Sequence, residues 1–347
     1  MEVNNISINL DKISFRIIND YDEILSFMQI GTRIPLWSEF HKYIIFDLKY
    51  FKAKSIILLE NGNILGHVLI FPGNDNYLNF GYFGVISHSN DKISILIEHL
   101  IQYAREKNFK GVRGPVNIPI ILFGYGFMVE GSKTNLFLGR SVDPPNYLDL
   151  FYKSGFENVN EIVTWERDQL LRFNARKSKK FDFDNYRLEY PENLYDFNQN
   201  YKVPFLKLQA ENLPLSASVT PNVAGVIDNY TDFVFKYGFN FMIFFIRDVA
   251  KDLLIACGAY IPNLLRRNEK GNLDSVYIYT WVVDKQYRRM GIANLMYGEI
   301  TELLWQNNIV YGSGMISSQN KANTDFAIKR LGGSKTRTHV LLDYVIQ

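Results

Sequence analysis

The sequence contains a single cysteine, Cys257, among its 347 residues. One thiol excludes an intramolecular disulfide, a cysteine zinc cluster and a C-x-x-C redox pair. Because Cys257 lies in an apolar stretch, we expect a buried, unreactive thiol. The histidines show no H-E-x-x-H motif or other paired spacing, so no metal centre is expected. They are His41, His67, His88, His99 and His339.

Long apolar runs are also missing. The runs at 55–59 and 241–246 have the length of strands, far below the ~20 residues that a membrane helix requires. The amino-terminal residues lack the basic start and apolar core of a signal peptide. These features predict a cytoplasmic protein without a membrane partner.

The charges are nearly balanced. Lys and Arg number 38 and Asp and Glu number 36, which gives a formal net charge of +2. Sequence-independent binding of nucleic acid needs a concentrated cationic surface, so no nucleic-acid partner is expected. At roughly 100–200 residues per domain, the length predicts two domains or one large domain.

A basic interval, Arg172–Lys180, lacks apolar periodicity and marks the predicted seam. It is either a docking segment or a solvated linker, and charged interdomain linkers are the commoner of the two. The predicted division is a first domain over 1–170, a linker over 171–184 and a second domain over 185–347.

The two halves repeat one order of elements, in which antiparallel strands are followed by a strand, a helix and a strand. Apolar residues at helical spacing predict the helices Ile93–Lys107 and Ile292–Asn307. The sequence therefore predicts an α/β class of the α+β type, with two tandem domains. Each would hold a mostly antiparallel central sheet with flanking helices.

The most informative segment is a predicted strand over 275–283 that leads through a basic turn into the helix from Ile292. Lys285, Arg288 and Arg289 precede the helix, and its first turn contains no acid. A helix amino terminus carries unpaired N–H groups and a partial positive charge that acids normally neutralise. A bare helix start with adjacent cations and a glycine at 291 suits a diphosphate bound on backbone amides.

The equivalent position in the first half serves as a control. There the strand 77–85 is followed by Asn90 and Asp91, either of which can cap the helix. No arginine or glycine is present in that turn. If the fold is duplicated, only the second copy retains an anion site.

The segment Arg288-Arg-Met-Gly-Ile-Ala293 resembles the Q/R-x-x-G-x-G/A pyrophosphate loop of the GNAT superfamily of N-acetyltransferases. The resemblance implies that acetyl-CoA, or another acyl-CoA, is the cofactor. Backbone groups of Val282 and Val283 would bind its pantetheine arm. The loop would bind the diphosphate, mainly through amides, and its residues are Arg288, Arg289, Met290, Gly291, Ile292 and Ala293.

A second resemblance covers nearly the whole chain. Segments of the first half are similar to a family of two-domain acetyltransferase-like proteins of prokaryotes. They are Arg113-Gly-Pro-Val-Asn117, Gly126-Phe-Met-Val-Glu-Gly131, Asp143-Pro-Pro-Asn-Tyr147 and Lys153-Ser-Gly-Phe156. Arg113-Gly-Pro could carry substrate recognition, because polar residues on loops fixed by proline and glycine often do.

The catalytic candidates depart from the superfamily pattern. The position where many members carry a tyrosine acid is Ile328 here. The resemblance suggests Asn320, with Asn323 as the alternative, for the superfamily asparagine after the fifth strand. Tyr279 and Asp274 are the candidates for proton transfer, although a strand tyrosine is more often a packing residue.

Three functions are compatible with this sequence. The first is an acyl-CoA-dependent N-acyltransferase, most simply one that acetylates the amine of a small molecule or peptide. The second is a non-catalytic tandem protein of the same fold that binds CoA or another ligand. The third is a Fem-like aminoacyl transferase, which the near-neutral charge disfavours because charged tRNA needs a cationic path.

Overall fold

The computed structural model describes residues 13–30, 34, 36–73, 75–87, 89–131, 141, 143–177, 181–213 and 224–347. The strands are β1 (Ile13–Ile18), β2 (Lys54–Glu60), β3 (Asn63–Pro72), β4 (Tyr77–Val85), β5 (Gly111–Gly114), β6 (Phe127–Gly131), β7 (Glu157–Arg167), β8 (Tyr186–Glu189), β9 (Ile243–Asp248), β10 (Leu253–Pro262), β11 (Ser275–Val283), β12 (Tyr311–Ser317) and β13 (Ser334–Val345). The helices are α1 (Tyr21–Phe27), α2 (Ser38–Tyr50), α3 (Asn90–Glu106), α4 (Ile120–Phe123), α5 (Pro145–Lys153), α6 (Leu194–Asp196), α7 (Lys202–Asn212), α8 (Ala224–Tyr237), α9 (Ile292–Gln306) and α10 (Lys321–Asp325). Strands and helices of these lengths confirm the predicted mixed α/β class.

The chain forms two compact units. Unit 1 comprises the described residues of Met1–Asn117, Val142–Glu157 and Leu342–Gln347, and unit 2 those of Ile118–Ser141 and Asn158–Leu341. The predicted linker over 171–184 coincides with no boundary of either unit, and its residues 178–180 lie outside the described ranges.

In unit 1 the strands run in the order β1-β2-β3-β4-β5, followed by the last residues of β13. Neighbours are antiparallel except β4 and β5, which pair in parallel over Tyr77–Asn79 and Gly111–Arg113. Leu342–Val345 of β13 pairs with β5, and the Arg113 guanidinium donates to both Asp343 oxygens at 2.7 and 2.6 Å. Residues from the carboxyl end of the chain thus complete the sheet of unit 1.

Unit 2 repeats this plan. Its strands run in the order β8-β9-β10-β11-β12-β7, with the first part of β13 beside β7 and β6 paired with β13. The parallel pair is β11 and β12, and β7 is antiparallel to β12. The predicted repetition of element order is therefore present in the fold.

The long helices carry the predicted apolar stripes. All six α3 stripe residues are buried, among them Ile93 and Leu100, and five of the six α9 stripe residues are buried as well. Leu303 is the α9 stripe residue that stays partly exposed. Strand β7, by contrast, was not predicted from the sequence.

His67 lies on β3 and is fully buried in unit 1. Its Nε2 atom is 2.8 Å from the Ser55 hydroxyl, and its Nδ1 atom is 3.1 Å from the Tyr82 carbonyl oxygen. The Tyr82 carbonyl can only accept, so Nδ1 carries the proton and Nε2 accepts from Ser55. Burial disfavours the charged ring and lowers the pKa of His67 to about 4.

We predict that acid destabilises unit 1 through His67. The unfolded chain takes up this proton near pH 6.5 and the folded chain only near pH 4, so stability falls as the pH drops through that window. The contribution to the free energy of unfolding is about 3 kcal/mol. Urea unfolding at pH 7 and pH 4.5 should show a smaller pH effect in His67→Gln than in wild type. Equal pH effects in the two proteins would contradict this account.

Candidate functional site

Strands β11 and β12 of unit 2 pair for only part of their length. Their parallel register ends at Ile278 and Gly314, although both strands continue. At the next residue, Tyr279, the register between β10 and β11 shifts, so Tyr279 forms a bulge. We call the space where the two strands part, beyond Ile278 and Gly314, the β11–β12 gap.

The register decides which backbone groups of β11 face this gap. Asp284 N–H donates to the Ile255 carbonyl at 2.9 Å, which makes these two residues a hydrogen-bonded pair. Antiparallel pairs alternate, so Val282 bonds to its partner Cys257 on β10. The N–H and C=O groups of Trp281 and Val283 therefore point to the gap side. Of the two residues predicted for the pantetheine contact, Val283 faces the gap with its backbone groups and Val282 faces β10, so the register places Trp281 and Val283 on the gap side.

The turn after β11 is anchored at its centre. The Asp284 side chain accepts from Gln286 N–H at 2.8 Å, which closes a short helical turn over Lys285–Tyr287. Tyr287 is buried, and its hydroxyl donates to Asp248 at 2.9 Å. These contacts hold the turn in place, while Arg288, Arg289 and Met290 after it are exposed.

Helix α9 begins without a cap. No residue that the structure describes supplies a side-chain cap at Gly291, and the first turn has no acid. Gly291 and Arg289 both adopt left-handed backbone angles, with φ of 81° and 67°. For Arg289 this conformation is strained, and such strain concentrates at functional sites.

The backbone amides of residues 289–293 form the candidate anion site. The first amides to bond within the helix are those of Asn294 and Leu295, and both donate to the Gly291 carbonyl. Within the described chain, no acceptor is found for the five amides before them. Unpaired N–H groups, a helix dipole and exposed arginines together fit a diphosphate group.

Unit 1 fills the equivalent space with its own residues. Tyr82 N–H donates to the Asn117 side chain at 2.9 Å, and Val85 N–H donates to the Tyr147 hydroxyl at 2.8 Å. Val116 also donates to the Phe80 carbonyl at 2.6 Å. The polar groups on this edge of β4 are thus already bonded. Helix α3 begins after Ser89 without a side-chain cap, so the prediction that Asn90 or Asp91 caps it is wrong, but Asp91 places an acid in its first turn, which α9 lacks.

These contacts give structural roles to the first-half segments that carry the sequence resemblance. Asn117 and Tyr147 close the space beside β4, and Arg113 forms ion pairs with Asp343 and Asp75. The suggested role of Arg113 in substrate recognition therefore finds no support in the geometry. Burial raises the pKa of Tyr147 to about 12, so its hydroxyl stays protonated.

The three catalytic candidates lie at different places in unit 2. Asp274 is buried at the start of β11 and forms an ion pair with Arg266, with 3.4 Å between Oδ1 and Nε. Five residues of extended strand, about 16 Å, separate it from the bulge at Tyr279. The Asn320 side chain accepts from Asn323 N–H at 3.3 Å at the start of α10. Tyr279, on the bulge, is the candidate that the strand register places at the gap.

Tyr279 borders a small apolar recess of about 10 Å³. Its half-buried ring packs edge-on against Tyr230 with 5.8 Å between the ring centres. Helix α8 and strands β9 and β10 supply other walls, through residues such as Ile227, Ile243 and Ala259. A recess of this size holds at most about one water molecule, so the side chains around the bulge would have to move before an acyl or acceptor group could enter it.

Cys257 and the histidines do not belong to this site. Cys257 is fully buried on β10, and burial raises the pKa of its thiol, as expected of an unreactive cysteine. His339 bonds to the Ser141 carbonyl, with Nε2 2.9 Å from the oxygen. His88 lies outside the described residues. No cluster of three potential metal ligands occurs within the described chain, nor is any helix there long and apolar enough to cross a membrane.

Comparison with solved structures shows a tandem GNAT fold. A tandem GNAT protein from the clavulanic acid biosynthesis pathway matches with a TM-score of 0.56 at 12% identity, over 96% of this chain and 98% of that one. A GCN5-related N-acetyltransferase from Sphaerobacter thermophilus matches with a TM-score of 0.57 at 9% identity, over 96% of each chain. These likenesses confirm the predicted fold.

A third match is part of a larger protein. A GCN5-related glucosamine N-acetyltransferase region in a fungal multi-domain GH3 β-N-acetylglucosaminidase aligns with a TM-score of 0.61 at 15% identity. The alignment covers 95% of this chain, which spans 38% of the length of that protein. The sequence matches no protein-family model and no curated protein.

We predict that the Tyr147 hydroxyl stabilises unit 1. Tyr147→Phe leaves the buried Val85 N–H without its acceptor, so the free energy of unfolding should fall by about 1–3 kcal/mol. Tyr152→Phe on the same helix is the matched control, because this side chain is exposed, and its effect should stay within about 0.5 kcal/mol. Equal stabilities of the two variants in urea unfolding would refute the assignment.

Proposed function

We propose that the chain is an acyl-CoA-dependent N-acyltransferase, most simply an acetyltransferase, and that unit 2 binds the coenzyme. The observation that carries the proposal is the cluster of five open amides at residues 289–293, beside exposed arginines and a helix start without an acid. The tandem GNAT fold supports the same function, because that fold is shared with acetyltransferases.

Different residues at and after β11 would bind different parts of the coenzyme. The amides of residues 289–293 would bind the diphosphate, and the backbone groups of Trp281 and Val283 would bind the pantetheine arm along the gap. Arg288 Nε already donates to the Val283 carbonyl at 3.2 Å and would turn from it toward the arm or the diphosphate. The bound coenzyme would supply the activated acyl thioester.

Proton transfer is assigned to Tyr279. Its position on the bulge, beside the gap, is where an acceptor amine would meet the acyl group. The phenol would exchange a proton with the amine or with the leaving thiol, a contribution typically worth 10²–10⁴-fold in rate. Asp274 and Asn320 would instead keep their structural contacts.

Two other functions are distinguished by the tests below: CoA binding without catalysis, and Fem-like aminoacyl transfer from charged tRNA. Ile328, at the position where the superfamily often carries a tyrosine, favours a protein that binds CoA without turnover. A Fem-like use of charged tRNA would need the basic segment to be free. Arg172 and Arg176 of this segment are paired with Glu302 and Glu299 instead.

We predict that a negative charge at position 293 abolishes coenzyme binding. Ala293→Glu places a carboxylate in the first turn of α9, where it stabilises the helix but repels the diphosphate. Titration calorimetry should show saturable binding of acetyl-CoA to wild type and binding at least about tenfold weaker in the variant.

Ala293→Gln is the control, because Gln has nearly the shape of Glu without its charge. Its affinity for acetyl-CoA should stay within a factor of about three of that of wild type. Absence of binding to wild type, or equal binding to the Glu and Gln variants, would overturn the proposed function.

We also predict that Tyr279→Phe lowers kcat by at least about tenfold and leaves KM for acetyl-CoA nearly unchanged. Thiol release from acetyl-CoA across a panel of amines is the assay. Tyr195→Phe is the control, because this tyrosine of unit 2 is 74% exposed and distant from the gap in sequence. An unchanged kcat in Tyr279→Phe would remove this residue from the chemistry, and binding without any turnover would identify a non-catalytic CoA-binding protein.

A further inference from the structure

We propose that Phe181 is a stacking platform for the adenine base of the coenzyme, held in place by a strap that is docked along α9. The strap is defined as residues 170–177 and 181–184. The inference rests on the proposed function of unit 2, and it assigns the nucleotide end of the site, which the loop amides leave unassigned.

The strap is packed against α9 through buried side chains and backbone hydrogen bonds. Leu170, Ala175 and Phe183 are buried. Trp305 Nε1 donates to the Leu170 carbonyl at 2.9 Å, and Leu171 N–H donates to the Tyr297 hydroxyl at 3.1 Å. This part of the chain is therefore fixed rather than solvated, contrary to the linker interpretation of the sequence.

Gly298 explains why the strap lies so close to the helix. A Cβ atom at this position would come within 2.9 Å of the Phe173 carbonyl oxygen and 3.2 Å of Ala175 Cβ. Any larger residue on this face of α9 would push the strap outward. The sequence thus provides a groove for the strap on the helix.

The two arginines of the strap, Arg172 and Arg176, bind it to α9. Arg172 donates to both oxygens of Glu302 at 2.8–3.1 Å. Arg176 forms an ion pair with Glu299 and also donates to the Phe183 and Tyr186 carbonyls, each at 2.8 Å. One guanidinium therefore ties α9 to Phe183, two residues after Phe181, and to Tyr186.

Phe181 lies directly against the start of α9. Its ring carbons are 2.7–3.0 Å from the position that a Cβ atom of Gly291 would occupy. The ring therefore flanks the amides of the candidate diphosphate site and is itself partly exposed. A nucleoside joined to a diphosphate at this helix start has an aromatic face within its reach, and base stacking on such a face is worth about 1–3 kcal/mol.

Phe181→Ala, Phe181→Trp and Arg176→Gln test the proposal by titration calorimetry with two probes. CoA contains the nucleoside, whereas 4′-phosphopantetheine lacks it and reports on the rest of the site. Phe181→Ala should bind CoA about tenfold more weakly than wild type and bind 4′-phosphopantetheine as wild type does. Phe181→Trp should retain CoA affinity, and Arg176→Gln, which loosens the strap, should weaken CoA selectively.

Equal loss for both probes in Phe181→Ala would show that the ring supports the loop instead, and would overturn the proposal. Unchanged or tighter CoA binding in this variant would also overturn it, the latter because the ring would then obstruct the site. Wild type that binds no CoA would overturn the proposed function and this inference together. Wild type and Phe181→Ala that bind CoA equally tightly would refute the stacking role of Phe181 and leave the proposed function of unit 2 standing.

Discussion

The candidate site depends on backbone hydrogen bonds that the fold leaves unmade. Strand β11 separates from β12 after Ile278, and α9 begins at Gly291 with no cap from the described residues. The backbone groups of Trp281 and Val283 face the gap, where only the Val283 carbonyl is bonded among the described residues, to Arg288, and the amides at the helix start have no acceptor there. Such groups bond to water unless a ligand replaces it, and their alignment along one path supports the proposal of a ligand that supplies acceptors.

In unit 1, which has the same topology, the equivalent backbone groups form hydrogen bonds within the protein. There the edge of β4 is bonded to the side chains of Asn117 and Tyr147, and the helix start carries Asp91. The two units thus share one topology but differ in whether their described residues bond the backbone groups beside the parallel strands. The difference comes from a few polar side chains rather than from the arrangement of strands.

The local parts of this account were predictable from the sequence, and the long-range parts were not. The stripes of α3 and α9 and the bare start of α9 follow from spacing and composition within about 20 residues. The place of β7 and of the last residues of β13 depends on pairing with distant strands, which leaves no local signal. The basic strap was interpreted as solvated because its partners, Glu299 and Glu302, lie more than 120 residues away in the chain. Which residues of β11 face the gap likewise depends on its register with β10. This register, which the sequence does not show, places the backbone of Trp281 rather than that of Val282 on the gap side.

We propose that the backbone groups at the β11–β12 gap and at the start of α9 bind an acyl-CoA, and that their equivalents in unit 1 do not. The most direct measurement is a crystal structure of the full chain grown with CoA. The account predicts a diphosphate within hydrogen-bond distance of the Gly291, Ile292 and Ala293 amides, with pantetheine alongside Trp281 and Val283. Density for the coenzyme beside Tyr82 and Val85 in unit 1, or a fully occupied coenzyme that avoids the α9 amides, would contradict it.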